Sequence, residues 1–345
     1  MRRVRPLIFS FFAVFPAFGV FFNWPTAAQT PRDFKGSTIG INIGYGPGGG
    51  YDTYARALAM HFGRFVPGNP AVVPRNMPGA GGLKVANYVY FVAPKDGTEL
   101  GAFASSTAME PTMGNAEAKF DAGKFSWIGS MDQDVSFCGV WQTPGAISSF
   151  EETLTKETTF GSAGPASTSH QHPLVLKNLL HANIKVIAGY DGTKEVNLAM
   201  QRGEVNGTCG LFASTINSQW LAEVKSGQLK LIIQMGPKKS DVFGPVPSVY
   251  DYVSSDEDRQ VLDLHFKQTL LGRPIVGPPD MAKERLSILR RAFMDTMKDS
   301  SFLADAQKMN IDINPVTGEA VEQLLQQFAD YPANVIKKAR ADIER

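Results

Sequence analysis

The stretch GYGPGGGYDTYAR, residues 44–56, decides how this chain is read. A β-like run, STIGINIGY, precedes it, and in the run that follows Ala55, Leu58, Ala59 and Phe62 recur at helical spacing. Strand, glycine-rich loop and helix in that order form the entry unit of an α/β fold. Gly44, Gly46 and Gly49 also satisfy G-x-G-x-x-G, the outline of a dinucleotide fingerprint. The loop therefore holds either a cofactor's pyrophosphate or some other anion.

The cofactor reading fails on its second requirement. A dinucleotide site needs an acidic residue about twenty positions beyond the loop to hold the ribose. No Asp or Glu occurs from Thr53 through Lys95. The phosphate-loop pattern G-x-x-x-x-G-K-[ST] is absent as well, so no cofactor is expected. What survives is the physics common to such loops: glycines let backbone N–H groups approach a ligand, and the following helix offers its positive end. The chain does this twice, at residues 47–52 and 78–83. Asp52, at the first helix start, is expected to cap free N–H groups without touching a ligand.

Working outward, the pattern repeats. AVVPRN and TELGAFA read as strands with a helix, LKVANYVYFVA, between them; FSWIGSM, VSFCGVW, TTFGSAG, NIKVIAGY, VNGTCGLF and LKLIIQM are further strands. ISSFEETL, HPLVLKNLLHA and KEVNLAMQRG read as helices. Beyond Gly236 the chain turns Pro- and Gly-rich, then amphipathic in KERLSILRRAFMDTM and AVEQLLQQFADYPANVIKKA. That last part has too few strands to stand alone and is expected to pack back on the first unit. The fold class is α/β, each unit a mostly parallel sheet flanked by helices.

The 345 residues suit two domains, and a net charge of +1 gives no electrostatic case for nucleic acid. At the N-terminus MRRVR precedes the uncharged LIFSFFAVFPAFGVFF, and small residues at Thr26 and Ala28 follow, which reads as a signal peptide cleaved after Ala28. A membrane anchor is the competing reading, but the apolar run is short and Pro16 interrupts it. Losing the three leader arginines leaves the mature chain slightly acidic, so an anionic ligand must be attracted locally. Cys138 and Cys209 are either one disulfide or two buried thiols; export favours the bridge.

Other constellations are weaker. His170 and His172 stand at i and i+2, on different faces of a helix, and no acidic or thiol partner joins them, so no metal is expected. A hydrolase elbow, G-x-S-x-G, is missing.

PGGGYDTYAR, NMPGAGGLKVANYVY, APKDGTELG, FGSAGPASTSH and GYDGTKEVNLAMQRGEVNG occur here in that order, and GPVPSVYD and GPPDM follow. In these motifs the chain resembles the solute-binding proteins of tripartite tricarboxylate transporters, the Bug family, from about residue 37 to the end. The resemblance implies a two-domain periplasmic "Venus flytrap": a leader at 1–28, a first domain of 29–130 plus 239–345, and a second of 131–238. It implies a monomer that is not an enzyme, closes on a small carboxylate in the periplasm and delivers it to integral-membrane permease subunits. Carried over by motif, the first domain contributes Gly48, Gly49 and Gly50, the segment Gly79, Ala80, Gly81 and Gly82, and Ser105, Ser106 and Thr107. The second contributes Ser162, Gly164, Ser167, Thr168, Ser169, Tyr190, Asp191 and Asn206. Hydroxyls and backbone amides are good carboxylate donors and need no fixed cation. The family commonly has an Asp where Asn206 stands, so the ligand is expected not to be an α-amino acid. Cys138 and Cys209 both fall on expected strands of the second domain. The alternative is an exported α/β enzyme acting on a small carboxylate.

Overall fold

The opening stretch folds as its pattern demands: β1 (Thr38–Ile43) runs through the glycine loop into α1 (Gly50–Phe62). Ile39, Ile41 and Ile43 alternate onto one face of the strand and pack with Leu58 and Phe62 of the helix. This is a computed structural model that describes residues 33–344; the leader and its cleavage after Ala28 lie outside the described residues. The unit repeats in β2 (Ala71–Asn76), α2 (Leu83–Phe91), β3 (Glu99–Ala102), the short α3 (Ser105–Met109) and β4 (Ser126–Ser130).

The chain then crosses to a second sheet. There it forms β5 (Ser136–Trp141), β6 (Thr158–Ser162), α4 (Thr168–Leu179), β7 (Ile184–Ala188), α5 (Thr193–Gln201) and β8 (Gly207–Phe212). A continuous helical run follows, α6 (Ala213–Thr215), a π turn and α7 (Leu221–Ser226), and β9 (Leu229–Met235) closes the sheet. The return passes through α8 (Asp256–Phe266) to β10 (Pro274–Gly277) in the first sheet. Last come α9 (Lys283–Lys298), α10 (Ser300–Lys308), β11 (Val316–Thr317), α11 (Gly318–Ala329) and α12 (Ala333–Ile343). The strand orders are β11-β4-β10-β3-β1-β2 and β7-β6-β8-β5-β9.

Both sheets are mixed: most strands of each share one direction, as expected, and β5, β10 and β11 run against it. β1 is parallel to β2 and β3, and β6 to β7 and β8. β10 is antiparallel to β3 and β4, and β5 to β8 and β9. The reason is topological. β1, β6 and β7 end at the crevice between the sheets, whereas β5 and β10 each begin there, having just crossed it, and so run the other way.

Helices cover both faces of each sheet. On the first, Phe62, Leu289, Phe293 and Phe302 pack on one side and Val85, Val89, Trp127, Val321 and Val335 on the other. On the second, Phe150, Phe160, Val175 and Phe266 oppose Phe137, Met200, Leu211 and Trp220. Cys138 and Cys209, on the neighbouring strands β5 and β8, are disulfide-bonded. Two helix readings change. ISSFEETL forms only a 3-10 turn at Glu151–Leu154. AVEQLLQQFADYPANVIKKA breaks into α11 and α12 at Pro332, which caps the second of them.

Candidate functional site

Three helices begin at the crevice: α1, α4 and α5, each following the end of β1, β6 or β7. Their N-cap residues, Gly49, Ser167 and Gly192, make no side-chain capping bond. An uncapped start presents unpaired N–H groups and roughly half a positive charge. Three of them aimed at one place make an anion-binding wall. A cavity of about 30 Å³ lies among them, lined by Gly49, Gly50, Ser167, Thr168, Ser169 and Thr193 and closed by Tyr45, Tyr51, Phe212, Thr215 and Arg273. Glycine is required at position 50, where a Cβ would stand 2.5 Å from Thr215 Oγ1 and 3.2 Å from Arg273 Nη2.

Arg273 is the residue that sequence reasoning missed. It precedes β10 in the first sheet and is only 2% exposed. Its Nη2 donates to Ser214 Oγ and Thr215 Oγ1 of the second lobe, both at 2.7 Å. The rings of Tyr51, Tyr54 and Phe212 lie 4.7–4.9 Å from the guanidinium carbon. Burial opposes its charge, but the phenols of Tyr51 and Tyr54 and the carboxyls of Asp134 and Asp132 outweigh that and hold its pKa above the ordinary value. Asp134 approaches no closer than 4.0 Å. Its oxygens are occupied instead by Val135 N, Ala213 N, Ser214 N and Ser214 Oγ. Burial raises the carboxyl of the neighbouring Asp132 well above the usual range, with Asp134's charge adding to the effect. The only sequence signal for Arg273 was a lone cation inside the apolar run LLGRPIVG.

The lobes touch across the crevice. Gly46 N–H donates to Asp191 O at 3.0 Å, and Ser106 Oγ to Ala166 O at 2.7 Å. Gln171 of α4 donates to the Glu110 carboxyl, whose pKa burial pushes up to about 7 although the amides of Asn115 and Gln171 oppose it. The cavity at this closure has room for one or two waters. A larger ligand enters only when the lobes part.

Of the expected site residues, the structure brings Gly49, Gly50, Ser167, Thr168 and Ser169 to the cavity wall. Gly48 sits at the rim with a φ of +85°, against the Lys194 side chain. Gly79, Ala80, Gly81 and Gly82 form a run of positive φ that abuts the other lobe: a Cβ on Gly81 would stand 2.5 Å from Ser167 N. Gly164 meets that run from the opposite side, and Gly81 O accepts from Tyr45 Oη and Thr107 Oγ1. Ser105, Ser106 and Thr107 are fully buried at the start of α3. Ser162 Oγ bonds His170 Nδ1 at 3.0 Å, outside the cavity lining. Tyr190 and Asp191 belong to the rim loop before α5.

Asn206 is not brought in. It is exposed, and its Oδ1 accepts from Thr159 N and Oγ1, at the opposite end of β6 from Ser162. An uncharged side chain there therefore has no bearing on whether the ligand carries an amino group. Asp52 also differs from expectation. It leaves α1 uncapped and braces the loop instead, accepting from Gly48 N, Arg56 Nε and Asn76 Nδ2. His172 pairs with Ser136 apart from His170, and among the described residues no group of three or more His, Cys, Asp or Glu could hold a metal.

No family model matches the chain. A Cupriavidus necator protein described as "UPF0065 protein in gbd 5'region" is 26% identical over 332 residues, 93% of this chain and 90% of its own length. Among solved structures, the periplasmic binding protein BugD superposes with a TM-score of 0.70 at 18% identity, covering 89% of this chain and 98% of its own. MatC from Rhodopseudomonas palustris, solved with bound malate, gives 0.68 at 17% identity over 90% and 100%. Another R. palustris protein, solved with adipate, gives 0.69 at 14% identity over 89% and 98%. Two mixed sheets flanked by helices with a crevice between them are the bilobed α/β fold of periplasmic binding proteins.

Proposed function

We propose that this is a periplasmic solute-binding protein of the tripartite tricarboxylate transporter type, which captures a small carboxylate between its lobes and delivers it to integral-membrane permease subunits. The observation that carries the reading is the convergence of three uncapped helix starts and a buried guanidinium on one crevice. The first domain is taken as 29–130 with 239–345 and the second as 131–238. The loops after β1, β6 and β7 supply donors to the same anion, and the protein acts as a monomer.

The mechanism is closure, with no bond made or broken. A carboxylate reaching the open crevice accepts N–H groups from α1 of one lobe. Closing adds the starts of α4 and α5 and excludes water, which strengthens each charge-assisted bond. Hydrogen bonds to a charged group contribute roughly 1.5–3 kcal/mol each, and micromolar binding needs about 8 kcal/mol net, so donors from both lobes are required. The likeness to two folds solved with malate and adipate agrees with a carboxylate.

Thermal unfolding of the mature chain from Gln29 tests this, against mono-, di- and tricarboxylates, aromatic acids, amino acids and NAD. A ligand at a hundredfold excess over its Kd adds about 2.7 kcal/mol, a rise of several degrees. A rise confined to a few carboxylates is expected. A rise with NAD and none with any carboxylate returns the glycine loop to the cofactor reading.

A further inference from the structure

Arg273 carries more than the carboxylate reading requires. Backbone N–H groups at helix starts can hold one carboxylate without a fixed cation, and the cavity has three such starts. A buried arginine in the same wall needs its own explanation, because an unpaired donor on a buried side chain is costly. A guanidinium has five N–H donors. Nη2 is used by Ser214 and Thr215, whereas Nε is buried and has no hydrogen-bond partner. The nearby acids do not use up its capacity. Asp134 stays at 4.0 Å with its oxygens filled by three backbone N–H groups and Ser214, and no bond joins Asp132 to Arg273. The rings of Tyr51, Tyr54 and Phe212 pack over the guanidinium, so a partner must approach in its plane, where the remaining donors point.

Charge gives the arrangement its sense. The mature chain is slightly acidic, so its overall field repels a doubly charged ligand. A fixed local cation adds to the partial positive charge of the three helix starts and offsets that repulsion further. The cation also bridges the lobes, since Arg273 belongs to the first and its acceptors Ser214 and Thr215 to the second. An anion bonded to Arg273 therefore reaches both sides of the crevice through one side chain.

We propose that Arg273 is the specificity-determining residue of this crevice: it binds a second anionic group on the ligand, so the site selects a compact diacid over a monoanion of equal length. This rests on the carboxylate-binding reading given above.

The test pairs each diacid of three to six carbons (malonate, succinate, glutarate, adipate) with its own monoamide, and measures Kd by calorimetry. The full mature chain is compared with its R273Q and R273K variants, each checked for a native circular dichroism spectrum. For wild type, the best diacid is expected to bind roughly ten- to hundredfold more tightly than its monoamide, the equivalent of one charge-assisted pair. R273Q is expected to lose that ratio, binding the diacid and its monoamide within about threefold of each other, and R273K, which keeps charge but not the planar fork, to retain part of it. Equal binding of diacid and monoamide by wild type overturns the proposal without any variant, even if R273Q fails to fold. A ratio unchanged in R273Q overturns it too, leaving the carboxylate reading intact. No binding of any diacid or monoamide by wild type overturns the proposal, and the carboxylate reading falls with it only if no mono-, tri- or aromatic carboxylate raises the thermal midpoint either.

Discussion

Glu110→Gln changes how stability depends on pH, by an amount the structure sets. Glu110 is 2% exposed, in the segment after α3, and accepts from Asn115 of its own lobe and Gln171 of the other. Burial raises its carboxyl from 4.5 to about 7, against the opposing pull of the two amides. A folded pKa above the unfolded value means the contribution is fully present below about pH 4.5 and is lost as pH rises through about 7. At 1.36 kcal/mol per unit, the loss between pH 5 and pH 8.5 is about 2–3 kcal/mol. Glutamine has no proton to lose, and Gln171 can turn its amide to keep a bond. Urea unfolding of both proteins at the two pH values isolates the effect, because every other group cancels in the difference. Wild type is expected to lose about 2–3 kcal/mol relative to E110Q on going to pH 8.5. Equal pH dependence in the two proteins refutes the argument. Because Glu110 and Gln171 lie on opposite lobes, ionisation also favours opening, so ligand affinity is expected to fall above pH 7 in wild type and less in E110Q.

Three further outcomes are expected. Cys138→Ala with Cys209→Ala removes a bridge spanning 71 residues, and chain entropy puts the loss near 4 kcal/mol, readable as a lower thermal midpoint than that of the oxidised protein. Gly50→Ala drives a methyl group to 2.5 Å from Thr215 Oγ1, so it is expected to lower the midpoint and abolish the ligand-induced rise; adding Thr215→Ala makes room and recovers part of the stability. Burial, helped by the charge of His265, pushes His172 down to about 3. Its stabilising contribution is present above about pH 6.5 and lost as pH falls towards 3, so His172→Gln is expected to flatten the acid limb of the stability curve.

The alternation of strands, glycine loops and helices was legible because it is written in local period and turn chemistry. β1 into α1 and β6 into α4 appear where STIGINIGY and TTFGSAG place them. The five glycine and hydroxyl residues at the starts of α1 and α4 reach the cavity for the same local reason: a helix start points where its strand ends. Strand direction was not legible. Whether β5 or β10 runs with or against its neighbours depends on which lobe the chain has just left, and no residue in VSFCGVW or RPIVG encodes that. Arg273 was hidden because its role comes from partners far away in sequence: Tyr51, Ser214 and Thr215 gather around it only in the fold. Asn206 was misplaced because a motif gives order along the chain, not the end of a strand at which a side chain emerges. Gln171 meets Glu110 across 61 residues, a pairing no helical or strand period could suggest.

The most direct measurement is equilibrium dialysis of the mature chain against the carboxylate that raises its midpoint most, with both compartments analysed by mass spectrometry after prolonged incubation. The account predicts one equivalent bound per chain, saturable and recovered chemically unchanged. Conversion of that carboxylate to another compound would contradict it and make the crevice an active site, and retention of no carboxylate would remove the ligand around which the account is built.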